Sequence, residues 1–184
     1  MHWLKRKELA VIFAVSLLIG AAIHIGNFYL TPAGIFFFSL LLIVTGLNIV
    51  AYLMPWVGRG SLFLFLIALF TFPSDDIGVT SLSKVIVFLL AGLTFELSFM
   101  YLKLHLHSIP LDIVVGSSLA MAVLPLSSAF FLSPSLASSF PPELWNLTLL
   151  AFSIGLGTSV LMSLLWEFTE HTKLVLELYF FVRR

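Results

Sequence analysis

The sequence predicts an all-α polytopic membrane protein, a bundle of six transmembrane helices with the N- and C-termini cytoplasmic. Three observations carry this. Sixty percent of the 184 residues are hydrophobic and ten percent are charged. Soluble domains average roughly 45–50% apolar and about 25% charged, and the mean hydropathy here is +1.13. Six apolar runs follow one another, at 9–25, 34–54, 61–72, 85–102, 113–132 and 147–166. Finally, the nine Lys and Arg residues fall almost wholly in alternate gaps between these runs.

About 20 apolar residues cross a hydrocarbon core of ~30 Å as a helix, so each long run reads as one span. The third is short, and Pro73 stops it. Basic residues decide whether it crosses, because Lys and Arg collect in short cytoplasmic loops. With six spans, Lys5, Arg6, Lys7, Arg59, Lys103, Lys173, Arg183 and Arg184 share one side and only Lys84 lies opposite. Without the third span the split is five to four. Six spans are therefore expected, at about 9–25, 34–54, 56–72, 84–102, 111–132 and 147–166, with Arg59 snorkelling back to the head groups. The chain reads as a single transmembrane domain, 1–184, of a multi-pass protein in the cell (plasma) membrane.

Net charge is zero, which leaves no electrostatic case for nucleic acid as a partner. The absence of cysteine excludes disulfides, thiolate metal sites and Cys nucleophiles. Lys5-Arg6-Lys7 ahead of residues 9–22 has the outline of a signal peptide, yet five more apolar runs follow. A retained first helix is expected.

Along the first run, Ala10, Ala14, Gly20 and Ala21 form a small-residue stripe of the kind through which helices approach in lipid. It either packs inside the bundle or docks another membrane subunit. His24 and Asn27, beside Gly26, either line an outward-facing pocket or are interfacial polar residues. His24 is the only histidine within a span, so a bis-histidine haem lacks its second ligand, and no cofactor is expected. Asp75 and Asp76, after Pro73-Ser74, fit a turn, with a cation site as the sharper reading. The edges of the outer gaps carry Tyr29, Phe140 and Trp145, which suit an interfacial aromatic belt.

Glu96 lies inside the fourth run. An intramembrane acid costs roughly 2.5–3.5 kcal/mol and normally has a partner. It reads either as a ligand-contacting or proton-coupled acid, or as a structural hydrogen-bond partner of Asn48. His105-Leu106-His107 lacks a third ligand nearby and reads as loop histidines. Asp112, after Pro110, offsets the positive start of the fifth helix. Gly116, Ser117 and Ala120 on the fifth helix, and Gly155, Gly157, Ser159 and Ser163 on the sixth, form two further packing stripes. Asn146-Leu147-Thr148 matches a glycosylation sequon but abuts a span. Residues 167–184 interleave charge with Leu174, Val175, Leu178 and Phe181. They form an amphipathic segment that either continues the last helix or turns along the surface. No nucleophile elbow, metalloprotease motif or phosphate loop is present, so no enzyme activity is expected.

Six short spans, termini inside and a basic start leading into Ala10-x-x-x-Ala14 resemble the substrate-binding S components of energy-coupling factor (ECF) vitamin transporters. Gly92-Leu93-Thr94-Phe95-Glu96-Leu97-Ser98-Phe99, followed by Ser108-Ile109-Pro110, is similar to the fourth and fifth helices of S components for thiamine precursors. The third run is richer in Phe and Leu than the family's, and the amphipathic tail is an addition. The resemblance implies a subunit that captures a small vitamin-like molecule from outside. It then docks through Ala10 and Ala14 on a transmembrane coupling subunit driven by cytoplasmic ATPases. The substrate contacts implied are His24, Asn27, Asp76, Trp145 and Asn146, with Glu96 as a further candidate. The alternative is a non-catalytic structural subunit of a larger membrane complex, of respiratory, oxidase, monooxygenase or cell-shape type. Its 19 Phe residues and few intramembrane polar groups favour that alternative. A third reading, an enzyme acting on lipid, would use Glu96 as its acid–base group.

Overall fold

The computed structural model describes residues 5–102, 105–106, 109–132 and 142–183. Expectations placed on Lys103, His107, Ser108, Phe140, Arg184 and residues 133–141 lie outside these. Seven helices occur among the described residues: α1 Arg6–Tyr29, α2 Pro32–Leu53, α3 Arg59–Phe70, α4 Ser81–Leu102, α5 Leu111–Leu132, α6 Pro142–Thr169 and α7 Lys173–Arg183. A two-residue antiparallel ladder, β1 His105–Leu106 with β2 Ile109–Pro110, joins α4 to α5.

Five of the helices, α1, α2, α4, α5 and α6, are long and apolar enough to cross a membrane. By length and composition the chain is a multi-pass membrane protein. The helix starts follow local chemistry. Glu8 accepts the Lys5 backbone N–H at 3.1 Å, as a third-position carboxylate does in a capping box. Thr31 caps α2 by accepting the Gly34 N–H at 3.2 Å, with Pro32 in the first turn. The Asp112 carboxylate accepts the Ile113 N–H at 2.9 Å, in keeping with its expected place at a helix start.

The short third run is a short helix. α3 has 12 residues and a length of about 18 Å; it starts three residues later and ends two earlier than the expected 56–72. The chain makes up the distance with a connection after α3 that enters the bundle. Ser74, Asp76, Ile77 and Val79, all between α3 and α4, are buried. Irregular backbone at such depth is tolerated only where protein surrounds it.

α2 is the central helix and packs against α1, α3, α5 and α6, while α4, α5 and α6 close the other side. Leu40, Ile43, Val44 and Leu47 from α2 meet Phe63, Leu64 and Ile67 from α3 in the core. α6 is 28 residues long and begins at Pro142, so Trp145 and Asn146 lie in its first turns. A break at residues 170–172 then turns the chain into α7, so the tail does not prolong the last span. Lys7 Nζ lies 4.9 Å over the Phe181 ring, which sets α7 beside the start of α1. Both described ends of the chain therefore lie at one end of the bundle, called here the terminal end; the opposite end is the far end.

The small-residue stripes divide by face. A Cβ at Gly155 would lie 2.8 Å from the Ser118 Cα, whereas one at Gly157 would meet nothing within 4 Å. Ser159 accepts a hydrogen bond from Asn48 Nδ2 at 2.9 Å, and Ser163 bonds the Tyr52 hydroxyl. Gly155, Ser159 and Ser163 thus pack on α5 and α2, while Gly157 faces outward. Ala10 and Ala14 face outward from α1, beside exposed Leu17 and Leu18. Gly155→Ala should lower the melting temperature of the purified protein through overpacking of about 1–3 kcal/mol. Gly157→Ala should leave it unchanged or raise it slightly through helix propensity. Circular dichroism melts of the two variants against wild type test this pair.

Candidate functional site

The polar chemistry of the bundle gathers at the two ends of α3. Helix ends leave N–H and C=O groups without intrahelical partners, and in lipid water does not supply them. At the N-terminal end, Gly58 takes the left-handed conformation, φ +92°, which glycine adopts at no steric cost. Arg59 follows and is held by Glu8 of α1 through Nη2–Oε2 at 2.8 Å, with both side chains buried. Two residues on, the Ser61 N–H donates to Glu96 Oε1 at 3.0 Å. A carboxylate at this position also opposes the positive end of the helix dipole.

The partner of Glu96 is therefore a backbone amide of α3. Asn48 is bound instead to Val44 O at 2.7 Å and to Ser159. Side chains at the same depth on different helices need not face each other, and α2 turns Asn48 toward α6.

At the C-terminal end of α3, His24 Nε2 bonds the Phe70 carbonyl at 2.8 Å. The Lys84 ammonium, fully buried, donates to Thr71 O at 2.8 Å and to Ser74 O and Oγ at 3.1 Å each. It also forms an ion pair with Asp76 Oδ1. The Ser74 hydroxyl donates to that same oxygen at 2.8 Å. Asp76 Oδ2 has no hydrogen-bond partner among the described residues.

Asp76 also lines a cavity of about 360 Å³ at the far end. Its walls come from Pro32 and Phe36 of α2, residues 75–78 of the α3–α4 connection, Pro125, Ser128 and Ala129 of α5, and Leu144 and Leu147 of α6. The volume lies at the low end of the roughly 300–1,000 Å³ typical of ligand clefts, and the mostly apolar wall with few polar groups is the usual pattern. Ser128 Oγ is engaged with Leu124 O at 2.7 Å, and Asp75 is exposed.

The residues nominated from sequence divide around this cavity. Asp76 lines it; His24, Asn27, Glu96, Trp145 and Asn146 do not. His24 is occupied at the end of α3, Asn27 and Asn146 are exposed on their helices, and Trp145 is half-exposed. Glu96 sits near the other end of α3, away from the cavity walls. Sequence reasoning missed Lys84, Pro125 and Ser128. Lys84 had a signal, as the one basic residue placed against the charge rule. Pro125 interrupts the hydrogen-bond ladder of α5, and its place in the wall had no signal in a single sequence.

A second cleft, of about 360 Å³, opens at the terminal end beside the stacked rings of Tyr52 and Trp166, whose centroids are 5.0 Å apart. Its acidic members are Asp112, already engaged at the start of α5, and Glu170.

No family model matches the chain, and neither a curated protein nor a solved structure matches it.

Removing one member of a buried ion pair strands the other, at about 3–5 kcal/mol, whereas replacing both by apolar groups is far milder. Lys84→Met should therefore lower the melting temperature strongly. Asp76→Leu combined with Lys84→Met should recover part of that loss, the remainder reflecting the Thr71 and Ser74 carbonyls left bare. A fully additive double variant would show that the pair is not coupled.

Proposed function

We propose that this chain is a membrane-embedded subunit that binds a small molecule at the far end of the bundle and delivers it to partner subunits. The role is that of an S component in an ATP-driven vitamin importer. The observation that carries the reading is the apolar far-end cavity, walled by four separate parts of the chain and holding one buried, half-satisfied carboxylate. The reading takes six passes with both termini in the cytosol. Eight of nine basic residues on one side support that arrangement, as does the meeting of α7 with α1 at one end. The cavity then faces outside. The outward Ala10–Ala14 face of α1 is the docking surface for a transmembrane coupling subunit, and cytoplasmic ATPases supply the energy.

A second reading, a structural subunit of a larger membrane complex, is favoured by a different observation. His24 and Glu96, the polar groups that looked available for chemistry, bind the ends of α3. Such a subunit needs no ligand.

The two readings part on ligand binding and on partners. Ligand binding to the native state raises its melting temperature. A receptor should therefore melt higher in the presence of one member of a water-soluble vitamin panel. Ala129→Phe, which fills the cavity wall, should abolish that rise while leaving the unliganded melt within a few degrees. No rise with any member, and native mass spectra free of small molecules, would favour the structural subunit.

Docking is tested separately. Ala10→Leu with Ala14→Leu should abolish co-purification of ATPase subunits from native membranes. Their undiminished recovery would place docking elsewhere.

A further inference from the structure

We infer that α7 is an interfacial helix, lying in the membrane surface at the terminal end and gathering anionic phospholipid where it meets α1. The inference is independent of any ligand and holds for a receptor and for a structural subunit alike. α7 leaves α6 at the break over residues 170–172 and reaches Lys7 of α1 with Phe181. On the way, Val175, Leu176 and Tyr179 line a cleft of about 320 Å³ together with Tyr52 of α2 and Trp166 of α6. An 11-residue helix is about 16 Å long, so α7 crosses the end of the bundle from α6 to α1. Its side chains sort by direction. Val175, Tyr179 and Val182, at spacings of four and three, share one face and turn inward, with Val182 only 2% exposed. Lys173 and Glu177 lie on the opposite side, both exposed, with Nζ and Oε1 3.9 Å apart. Leu178 and Phe181 share one flank between these faces, Leu176 and Phe180 the other, and all four are exposed. So much bare apolar surface on one short helix marks a contact face. A helix of this pattern lies at the boundary between head groups and acyl chains.

Continuity selects lipid as the occupant. Phe181 sits under the Lys7 ammonium, and the outward apolar side of α1 begins just beyond, with exposed Leu9, Phe13 and Leu17. The exposed end of α7 therefore adjoins the wall that the first long apolar helix turns to the acyl chains. Charge selects the head group. Lys5, Arg6 and Lys7 open α1, and Arg183 closes α7 at the same junction. Glu8, next in sequence, is engaged by Arg59. The acids of the tail, Glu167, Glu170 and Glu177, all precede the junction, and Glu177 lies beside Lys173. Clustered basic residues at a membrane surface draw anionic lipid, and the apolar flanks beside them give its chains a seat.

Because the chain has no cysteine, single nitroxide labels can be placed on the full chain through Leu178→Cys, Phe181→Cys, Lys173→Cys and Glu177→Cys. Each labelled protein is held in nanodiscs of phosphatidylcholine and phosphatidylglycerol in equal parts. The measurement is the ratio of label collisions with oxygen to those with a water-soluble nickel chelate. That ratio should be at least about threefold higher at 178 and 181 than at 173 and 177. Leu178→Cys carries the comparison if Phe181→Cys loosens α7 from Lys7. Native mass spectra of the same discs should show phosphatidylglycerol retained over phosphatidylcholine. Arg6→Gln with Lys7→Gln should cut that enrichment at least about fivefold. Equal chelate access at all four positions would overturn the inference and leave the face to a partner protein. Preference for oxygen at all four would overturn the surface orientation. Enrichment that is absent, or unchanged in the Arg6→Gln, Lys7→Gln protein, would overturn the anionic assignment.

Discussion

A helix too short for the membrane imposes its terms on the rest of this bundle. α3 has 12 residues against 22 or more for α1, α2, α4, α5 and α6, and the connection that follows it lies among protein, with Ser74, Asp76, Ile77 and Val79 buried. Of the six buried charged side chains among the described residues, Glu8, Arg59, Glu96, Lys84 and Asp76 all serve the ends of α3; Asp112 serves the start of α5. Each comes from a neighbour able to reach: Glu8 and His24 from α1, Glu96 and Lys84 from α4. The cost of a charge in hydrocarbon is offset where the alternative is unpaired backbone.

This arrangement changes how the polar residues are read. An acid in a transmembrane run invites a catalytic or proton-coupling role, yet Glu96 Oε1 is an acceptor for the third residue of α3. His24 is likewise a donor to the last carbonyl of the same helix, not a wall of the cavity. Asp76 is the exception, because it belongs to both worlds: Oδ1 completes the Lys84 cluster and the residue forms part of the cavity wall. The proposed ligand site is thus tied directly to the device that ends α3, and binding there would bear on the stability of the α3–α4 connection.

Between the helices, association depends on close approach rather than on hydrophobic exclusion, since lipid tails are as apolar as leucine. Gly155 lets α6 lie against the Ser118 backbone of α5, and Ser159 and Ser163 fasten α6 to α2 through Asn48 and Tyr52. The outward faces carry large apolar side chains such as Leu18 and Phe28, as a lipid-facing surface requires. Ala10 and Ala14 interrupt that surface on α1 with small side chains, which would let another helix come close there.

The amino-acid sequence by itself determined the all-helical class, the five long membrane-length helices, the weakness of the third run and the amphipathic tail. These follow from composition and from the length of apolar runs, which are properties of contiguous residues. Pro73 and the twelve-residue run already marked α3 as short; the Asp112 and Thr31 starts are equally local. What the tertiary structure decided is pairing. Glu96 lies 35 positions from Ser61, Glu8 lies 51 from Arg59, and His24 lies 46 from Phe70. No periodicity encodes such partners, because they depend on how helices rotate about their own axes when they pack. The same rotation turned His24 to α3, left Asn27 and Asn146 outside, and brought Pro125, Ser128 and Ala129 to face Asp76. A single chain of letters carries the depth of a residue in the bilayer; only packed helices fix the direction it faces.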